Sequence, residues 1–471
     1  MDKGYRKEFT KPKVIYFGLA AVFIIHLLWF LPGGDWAYGF RDLKTKIPFL
    51  TIPLFFAWAP KGWFPRQRVL FYFVLAGFVA STVFSFLLFT HIIPWESIPW
   101  EINNFRDLSP LVSHIRLCTI GVLVFIWGSA IWKQKVVFSL LLLIYVLAVF
   151  VMLQSLTGFF ILGLGLCLKG LLNKENWIRY STLAAGILIG AFLTLKWTDY
   201  NKISPDYVHQ VNSDTTALGN LYLPRSFSHQ KQNNYPIWEF VNYPELKAAW
   251  LDRTGIDTEQ KAENGNRVLG ILVRYLTSKG LRKDNEGVQT LSETDIKNIQ
   301  LGYPFAGFDQ MLSINKRLQS SFFEINVFRD GISPNGHSLM LRIKYMEAGY
   351  TIWKANPILG VGTCNTNKAF KEYYAGANTQ LKEKYQRKAH NQWLTFLLNF
   401  GLIGFCLIMG CFLYTLRNIR SYSFWSVLGL LTLFLTFFWE DTLETQIGVS
   451  SFLFFYCCIL RYSEPEDTIA L

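Results

Sequence analysis

A histidine stands at position 390, in RKAHNQWLTFLLNFGLIG (387–404), where a charged segment becomes an apolar run. An imidazole has the right unperturbed pKa to take a proton near neutral pH, which makes His390 a candidate general base. The plainer alternative is an interfacial histidine that caps or packs at a helix start. Arg116 is the second residue of interest, inside the apolar run PLVSHIRLCTIGVLVFIW (110–127). A guanidinium stays charged and binds oxyanions such as a diphosphate bidentately. A charge at that depth is costly and usually faces a bundle interior or a water-filled cavity; the alternative is a side chain that snorkels to the interface. His114 precedes Arg116 by two residues, so on a helix the two point about 200° apart and need not share a site. Glu440 and Glu444, with Asp441 between them, could orient a base; interfacial solvation explains them equally well.

These residues need a membrane scaffold to position them. The chain has 471 residues, 51% hydrophobic, 17% aromatic and only 17% charged, against about 25% charged in an ordinary soluble domain. The apolar residues fall in long blocks, as expected of an all-α polytopic membrane protein. Ten spans are predicted: 14–31, 47–60, 69–90, 111–132, 136–153, 156–172, 180–196, 393–416, 422–439 and 446–461. The second is the shortest and contains prolines. The organisation is then an N-terminal bundle of seven helices (1–196), a large and mostly helical loop domain (197–391), and a C-terminal bundle of three helices with a short tail (392–471). The first apolar block lacks a small-residue cleavage site and reads as an anchor rather than a signal peptide. LKAAWLDRTG and NRVLGILVRYLTSKG predict amphipathic helices in the loop domain, the second ended by Gly280.

Charge sets the orientation. Lys and Arg crowd the amino terminus, KGWFPRQR, WKQK, KGLLNKENWIR and RNIR, which places both termini and these connections in the cytoplasm. The acid-bearing HIIPWESIPWEINNFRDLSP and EDTLETQ fall outside, as does the loop domain. His390 then lies at the outer water–lipid boundary. One loop breaks the pattern: 32–46 falls outside yet carries Arg41, Lys44 and Lys46. The net charge of +13 is accounted for by basic residues flanking spans on the inner side, so nucleic-acid binding is not invoked. Six of the seven cysteines lie in apolar segments and only Cys364 in the loop domain, so no disulfide forms within it. No DxD triplet occurs, which argues against a metal-dependent oligosaccharyltransferase, and no cytoplasmic domain is large enough for a nucleotide-sugar or ATP site. The GVG at 360–362 lacks the strand–helix context of a dinucleotide loop.

NPILGVGTCNT (356–366) and HNQ…FGLIG (390–404) resemble the bacterial O-antigen ligase and polymerase superfamily. The ligase pattern is His, Asn or Ser, nine residues, Gly, two residues and a small or aromatic residue; His390, Asn391, Gly401 and Gly404 fit it. NGHSLMLRIKYMEAGYTIW resembles the segment that carries an arginine about one helix before NPxxGxG, here Arg342, which by position alone would be a solvated surface residue. VRYLTSKGLRKDNEGVQTLSETDI (273–296), SHIRLC (113–118) and LETQIGVSSFLFF (443–455) resemble one branch of the superfamily. Two departures stand out. Ten spans is fewer than the dozen or so common in family ligases, and Leu156 occupies a place where many relatives carry arginine.

The resemblance implies an enzyme of the bacterial inner membrane, active at the periplasmic face. It would take a glycan from undecaprenyl diphosphate and pass it to an acceptor hydroxyl by an inverting transfer, without metal or other cofactor. His390 would be the base, with Arg342 and Arg116 clamping the diphosphate. Asn391, His337, and the basic cluster Arg274, Lys279 and Arg282 could contact donor or acceptor, as could His114, Glu440 and Glu444. For the cluster a solvated helix face is equally open, and for His337 an ordinary loop histidine. The expected partners are the lipid-linked donor, membrane lipids, and a lipid A-core or protein acceptor; no nucleic acid is expected. A protein O-oligosaccharyltransferase or an O-antigen polymerase would use the same donor chemistry. A transporter or flippase fits less well, since no internal repeat is found and the ionisable residues collect at the outer edge rather than mid-membrane.

Overall fold

The computed structural model describes residues 14–463, except 31–33, 61–62, 99–101, 103–104, 110–111, 133–134, 172–174, 206–213, 225–227, 312, 378, 380 and 418–422. The described chain is mostly helical; its one sheet among these residues is a two-residue hairpin. It divides into two compact units, Met1–Arg179 with Leu341–Leu471, and Tyr180–Met340.

The first unit holds α1 (Ile15–Leu28), α2 (Trp36–Lys46), α3 (Pro48–Trp58), α4 (Gln67–Phe89), α5 (His114–Ile131), α6 (Val136–Met152) and α7 (Leu156–Leu171). Most of α14 (Ser338–Ala355), α15 (Thr366–Gly376), α16 (Gln392–Thr415), α17 (Phe424–Leu435) and α18 (Gln446–Ser463) complete it. The long helix α8 (Asn176–Asn201) carries the boundary between units. Four helices, α4, α5, α8 and α16, are long and apolar enough to cross a membrane. Helices also stand at the six other positions where spans are expected; five of these are shorter, from 11 to 17 residues, against about 20 for a full crossing, and the sixth, α18, has 18. The polar helix α2 between the first two expected spans had no counterpart in the sequence reading.

Lipid offers no hydrophobic drive between helices, so association depends on close packing around small residues. At Gly121 of α5 an added Cβ would lie 2.9 Å from the Phe78 ring, and at Gly128 it would lie 2.7 Å from Leu142. Phe71 and Phe78 of α4 fill these notches and are almost fully buried. A second core joins α1, α3, α16 and α18 through Tyr16, Phe49, Phe400, Phe437, Phe452 and Tyr456.

The second unit contains α9 (Tyr243–Thr254), α10 (Val268–Ser278), α11 (Asn285–Gln289), α12 (Glu293–Leu301) and α13 (Ser313–Arg329). Its own core is built on Trp250, Leu272, Tyr275 and Ile299. The two amphipathic helices read from sequence are α9 and α10, and both end at a left-handed glycine, Gly255 (φ 69°) and Gly280 (φ 68°). The segment 341–391 packs with the first unit, so Arg342 and His390 belong to the same unit.

Candidate active site

The site begins with a broken helix. α14 stops at Ala355, one residue before Asn356-Pro357, where the proline disfavours further helix. The chain then passes along α16 at the point where that helix is interrupted. Gly401 has φ 61° and ψ −169°, a combination essentially confined to glycine. The interruption frees backbone groups, and the passing loop takes them up. Val361 and Gly362 N–H donate to the Leu398 and Asn399 carbonyls at 2.8 and 3.0 Å; Leu402 and Ile403 N–H donate to the Pro357 and Ile358 carbonyls at 2.9 and 3.2 Å. The approach leaves no room for side chains: a Cβ on Gly360 would fall 2.6 Å from the Asn399 backbone, and one on Gly401 would fall 2.2 Å from the Ile358 carbonyl oxygen. NPILGVG and FGLIG are therefore two sides of one hydrogen-bond exchange. Non-helical backbone persists in a membrane protein only where its polar groups are met in this way.

The exchange fixes α14 beside the first half of α16. A Cβ on Gly349 would sit 3.0 Å from both Ala389 Cβ and Leu394 Cδ2, and the Tyr345 ring lies 5.4 Å from the imidazole of His390. His390 itself adopts φ 50°, a left-handed conformation that costs a non-glycine residue about 1–2 kcal/mol. Asp441, in the turn between α17 and α18, holds it there. Its carboxylate accepts from His390 N–H (3.0 Å), Asn391 N–H (3.1 Å) and Thr395 Oγ1 (2.8 Å). Asn391 caps α16, its Oδ1 accepting from Leu394 N–H at 3.0 Å, and its amide donates to the Phe438 carbonyl at 3.3 Å. The clamp thus holds the backbone rather than the ring. His390 Nδ1 is buried and has no hydrogen-bond partner among the described residues.

Charge around the ring is organised. Burial lowers the His390 pKa; Glu440 opposes this, while Arg342, Arg387 and Arg116 add to the lowering. The imidazole is therefore neutral at pH 7 and able to accept a proton. Arg116 Nη2 lies 3.4 Å from Glu440 Oε1, each side chain being 14% exposed, and Arg116 Nε is buried with no hydrogen-bond partner among the described residues. The pair lines a small cavity of about 30 Å³ with Thr119, Thr436 and Thr442. Arg387 is the group that sequence reasoning left out of the site, although it lies in the same RKAHN stretch. Burial, with the Glu444 charge adding to it, raises the Asp441 pKa to about 6.

Of the residues singled out from sequence, the structure gathers His390, Asn391, Arg342, Arg116 and Glu440 about this turn, with Asp441 beneath them. His114 is the first residue of α5 and stands at its capped end. Glu444 is nearby but engaged: its carboxylate pairs with Lys46 at 2.8 Å and accepts from Gln392 Nε2 at 3.3 Å. The remaining four lie in the second unit and make contacts within it. The Arg274 guanidinium stacks 4.0 Å over Phe323 and donates to Gln232. Lys279 pairs with Asp295 at 2.6 Å. Arg282 stacks over Phe240 and Tyr222. His337 packs 5.9 Å from the Phe323 ring, and burial lowers its pKa.

No curated protein matches the chain. Residues 299–409 match the family described as O-antigen ligase. That stretch contains Arg342, the Pro357–Gly362 loop, His390 and the break at Gly401; the blocks 273–296, 113–118 and 443–455, which also carried the resemblance, lie outside it. With its apolar helices the chain has the character of an integral membrane protein, and over residues 299–409 it is similar to the O-antigen ligase family.

Proposed function

We propose that the protein transfers a glycan from undecaprenyl diphosphate to an acceptor hydroxyl, at the periplasmic face of a bacterial inner membrane. The acceptor oxygen attacks the anomeric carbon as the bond from that carbon to the diphosphate breaks, with inversion. The hydroxyl proton passes to His390, and the electron pair leaves with the diphosphate. Arg116 and Arg342 meet the charge that develops there, an interaction worth most where water is excluded. The observation that carries this reading is the neutral, half-buried imidazole, held on a clamped backbone, with a buried Nδ1 that has no partner among the described residues and with three guanidinium groups close enough to lower its pKa.

Lipid A-core is the acceptor we favour. The second unit, with its own core over Tyr180–Met340, offers surface enough to bind a polypeptide, so protein O-glycosylation is the second reading; polymerisation of lipid-linked chains is the third. A deletion strain complemented with wild type or His390→Ala separates them. The ligase reading expects loss of lipopolysaccharide ladders with glycoproteins intact, and no rescue by a His390→Ala protein that inserts normally. Loss of a general base lowers rate about 10²–10⁴-fold. A fully active His390→Ala protein would reject the mechanism, and loss of glycoproteins alone would move the acceptor to protein.

A further inference from the structure

Buried charge lies behind the His390 turn, and the transfer chemistry above does not use it. Lys46, the last residue of α2, is only 1% exposed. Its Nζ donates to Glu444 Oε1 at 2.8 Å and to the Leu443 carbonyl, and lies 3.5 Å from Asp42 Oδ1. Glu444 accepts from Gln392 Nε2, and Gln392 Oε1 in turn accepts from Leu443 N–H at 2.8 Å. Gln392 begins α16, two residues beyond His390. The turn 441–444 is thus held on one side by the start of α16 and on the other by Lys46.

We propose that Lys46 is a positioning residue for the transfer reaction: through Glu444 it seats the 441–444 turn so that the Asp441 carboxylate stays under the His390 and Asn391 amides. The proposal rests on the reading of His390 as the base.

The charges show why a lysine is needed. Asp441 faces Glu444 of its own turn, Lys388 and the His390 N–H from the segment before α16, and Tyr38 of α2, while Lys46 and Asp42 of α2 meet the neighbouring Glu444. Three of these groups, Asp42, Asp441 and Glu444, are buried carboxylates. The ammoniums set against them are Lys46 and Lys388, and Lys388 also hydrogen-bonds the Tyr38 hydroxyl. Without Lys46 the buried cluster carries one more uncompensated negative charge, a costly state. Relief comes from protons taken up by the carboxylates of the cluster, Asp441 among them. A protonated carboxyl is a weaker acceptor for the His390 and Asn391 N–H groups than the carboxylate, and the left-handed turn relaxes.

The test uses the full-length protein in membranes, with an undecaprenyl-diphosphate-linked glycan as donor, host membranes as acceptor, and release of undecaprenyl diphosphate as the readout across pH 5–9. For Lys46→Met we expect kcat at pH 7 to fall at least tenfold, with the donor KM within twofold. The acid limb of the profile should move up by about two pH units, within the range of about 1–3 that a nearby opposite charge produces. Lys46→Arg should stay within threefold of wild type, and K46M/E444Q should bring the limb back toward wild type. A Lys46→Met protein with wild-type kcat and limb overturns the proposal, as does a double variant displaced as far as K46M. Should Lys46→Met fail to insert, Glu444→Gln and K46M/E444Q read the same effect in charge-relieved backgrounds. A limb higher in the double variant than in Glu444→Gln supports the role, and coincident limbs end it. His390→Ala is assayed alongside. Activity in that variant sinks the base assignment whatever Lys46 does; an inactive His390→Ala beside an unaltered Lys46→Met removes only the positioning role.

Discussion

As proposed for transfer, His390 and Asp441 must both be deprotonated, and this fixes a pH dependence. As the proposed base, His390 works only as neutral imidazole, and its pKa is pulled below the ordinary 6.5. Asp441 holds the turn best as a carboxylate, and its pKa is raised to about 6. Activity should therefore rise with pH through about 6 and flatten near neutrality. Stability has the reverse sign at Asp441. Its folded pKa lies above the usual 3.8, so the folded state binds a proton that the unfolded state releases. The stability this contributes is fully present below pH 3.8 and is lost as pH rises through about 6. The Tm of wild type relative to Asp441→Asn should fall between pH 4 and 7, while transfer by wild type rises across the upper part of that interval. A Tm difference that grows with pH would show that Asp441 is not strained in its ionised form. The function-bearing carboxylate is thus held at some expense of stability, as expected where a charge is buried to fix a catalytic group.

At the scale of elements, the decisive feature is the exchange between the Pro357–Gly362 loop and the break in α16. It explains why glycines in two separate sequence blocks are needed together, and it makes their substitution unequal. Gly401→Ala must place a side chain in a backbone region that costs about 1–3 kcal/mol for other residues, and must also displace the Ile358 carbonyl. Gly410, farther along the same helix, has nothing within 4 Å of a Cβ. Gly401→Ala should lower Tm in detergent and abolish transfer, while Gly410→Ala should leave both unchanged; equal behaviour of the two would contradict the exchange. The sequence carried part of this. His390, Gly401 and the apolar run between them are legible because a membrane helix must be long and apolar, and its glycines stand out. The hydrogen bonds from Val361 and Gly362 to Leu398 and Asn399 are not, because nothing local marks which carbonyls a break will free. α2 was missed for a related reason: it is short and polar, and no continuous apolar run announces it. Its anchor, Lys46 to Glu444, joins residues 398 positions apart, a pairing that no local pattern contains.

At the scale of the whole molecule, the same ion pair bears on orientation. The loop 32–46 carries three basic residues, which under a charge-counting rule would argue for the cytoplasm. Arg41 and Lys44 are exposed, but Lys46 is buried against Asp42 and Glu444, so one of the three charges is neutralised in the fold and says little about sidedness. With that charge set aside, the loop carries a weaker inward signal than its composition suggests, and the outward placement of His390 rests on the remaining connections. Labelling in intact cells with a membrane-impermeant maleimide tests it directly. Leu218 in the second unit and Trp63 between α3 and α4 are 64% and 70% exposed, so a cysteine at either position is open to reagent, whereas Cys118, Cys364, Cys457 and Cys458 are buried. Leu218→Cys should react once the outer membrane is breached, and Trp63→Cys only after the inner membrane is permeabilised. The reverse pattern would put the His390 turn on the cytoplasmic side. A lipid-linked donor presented at the periplasmic face could not reach it there, and the chemistry proposed for the site would lose its substrate.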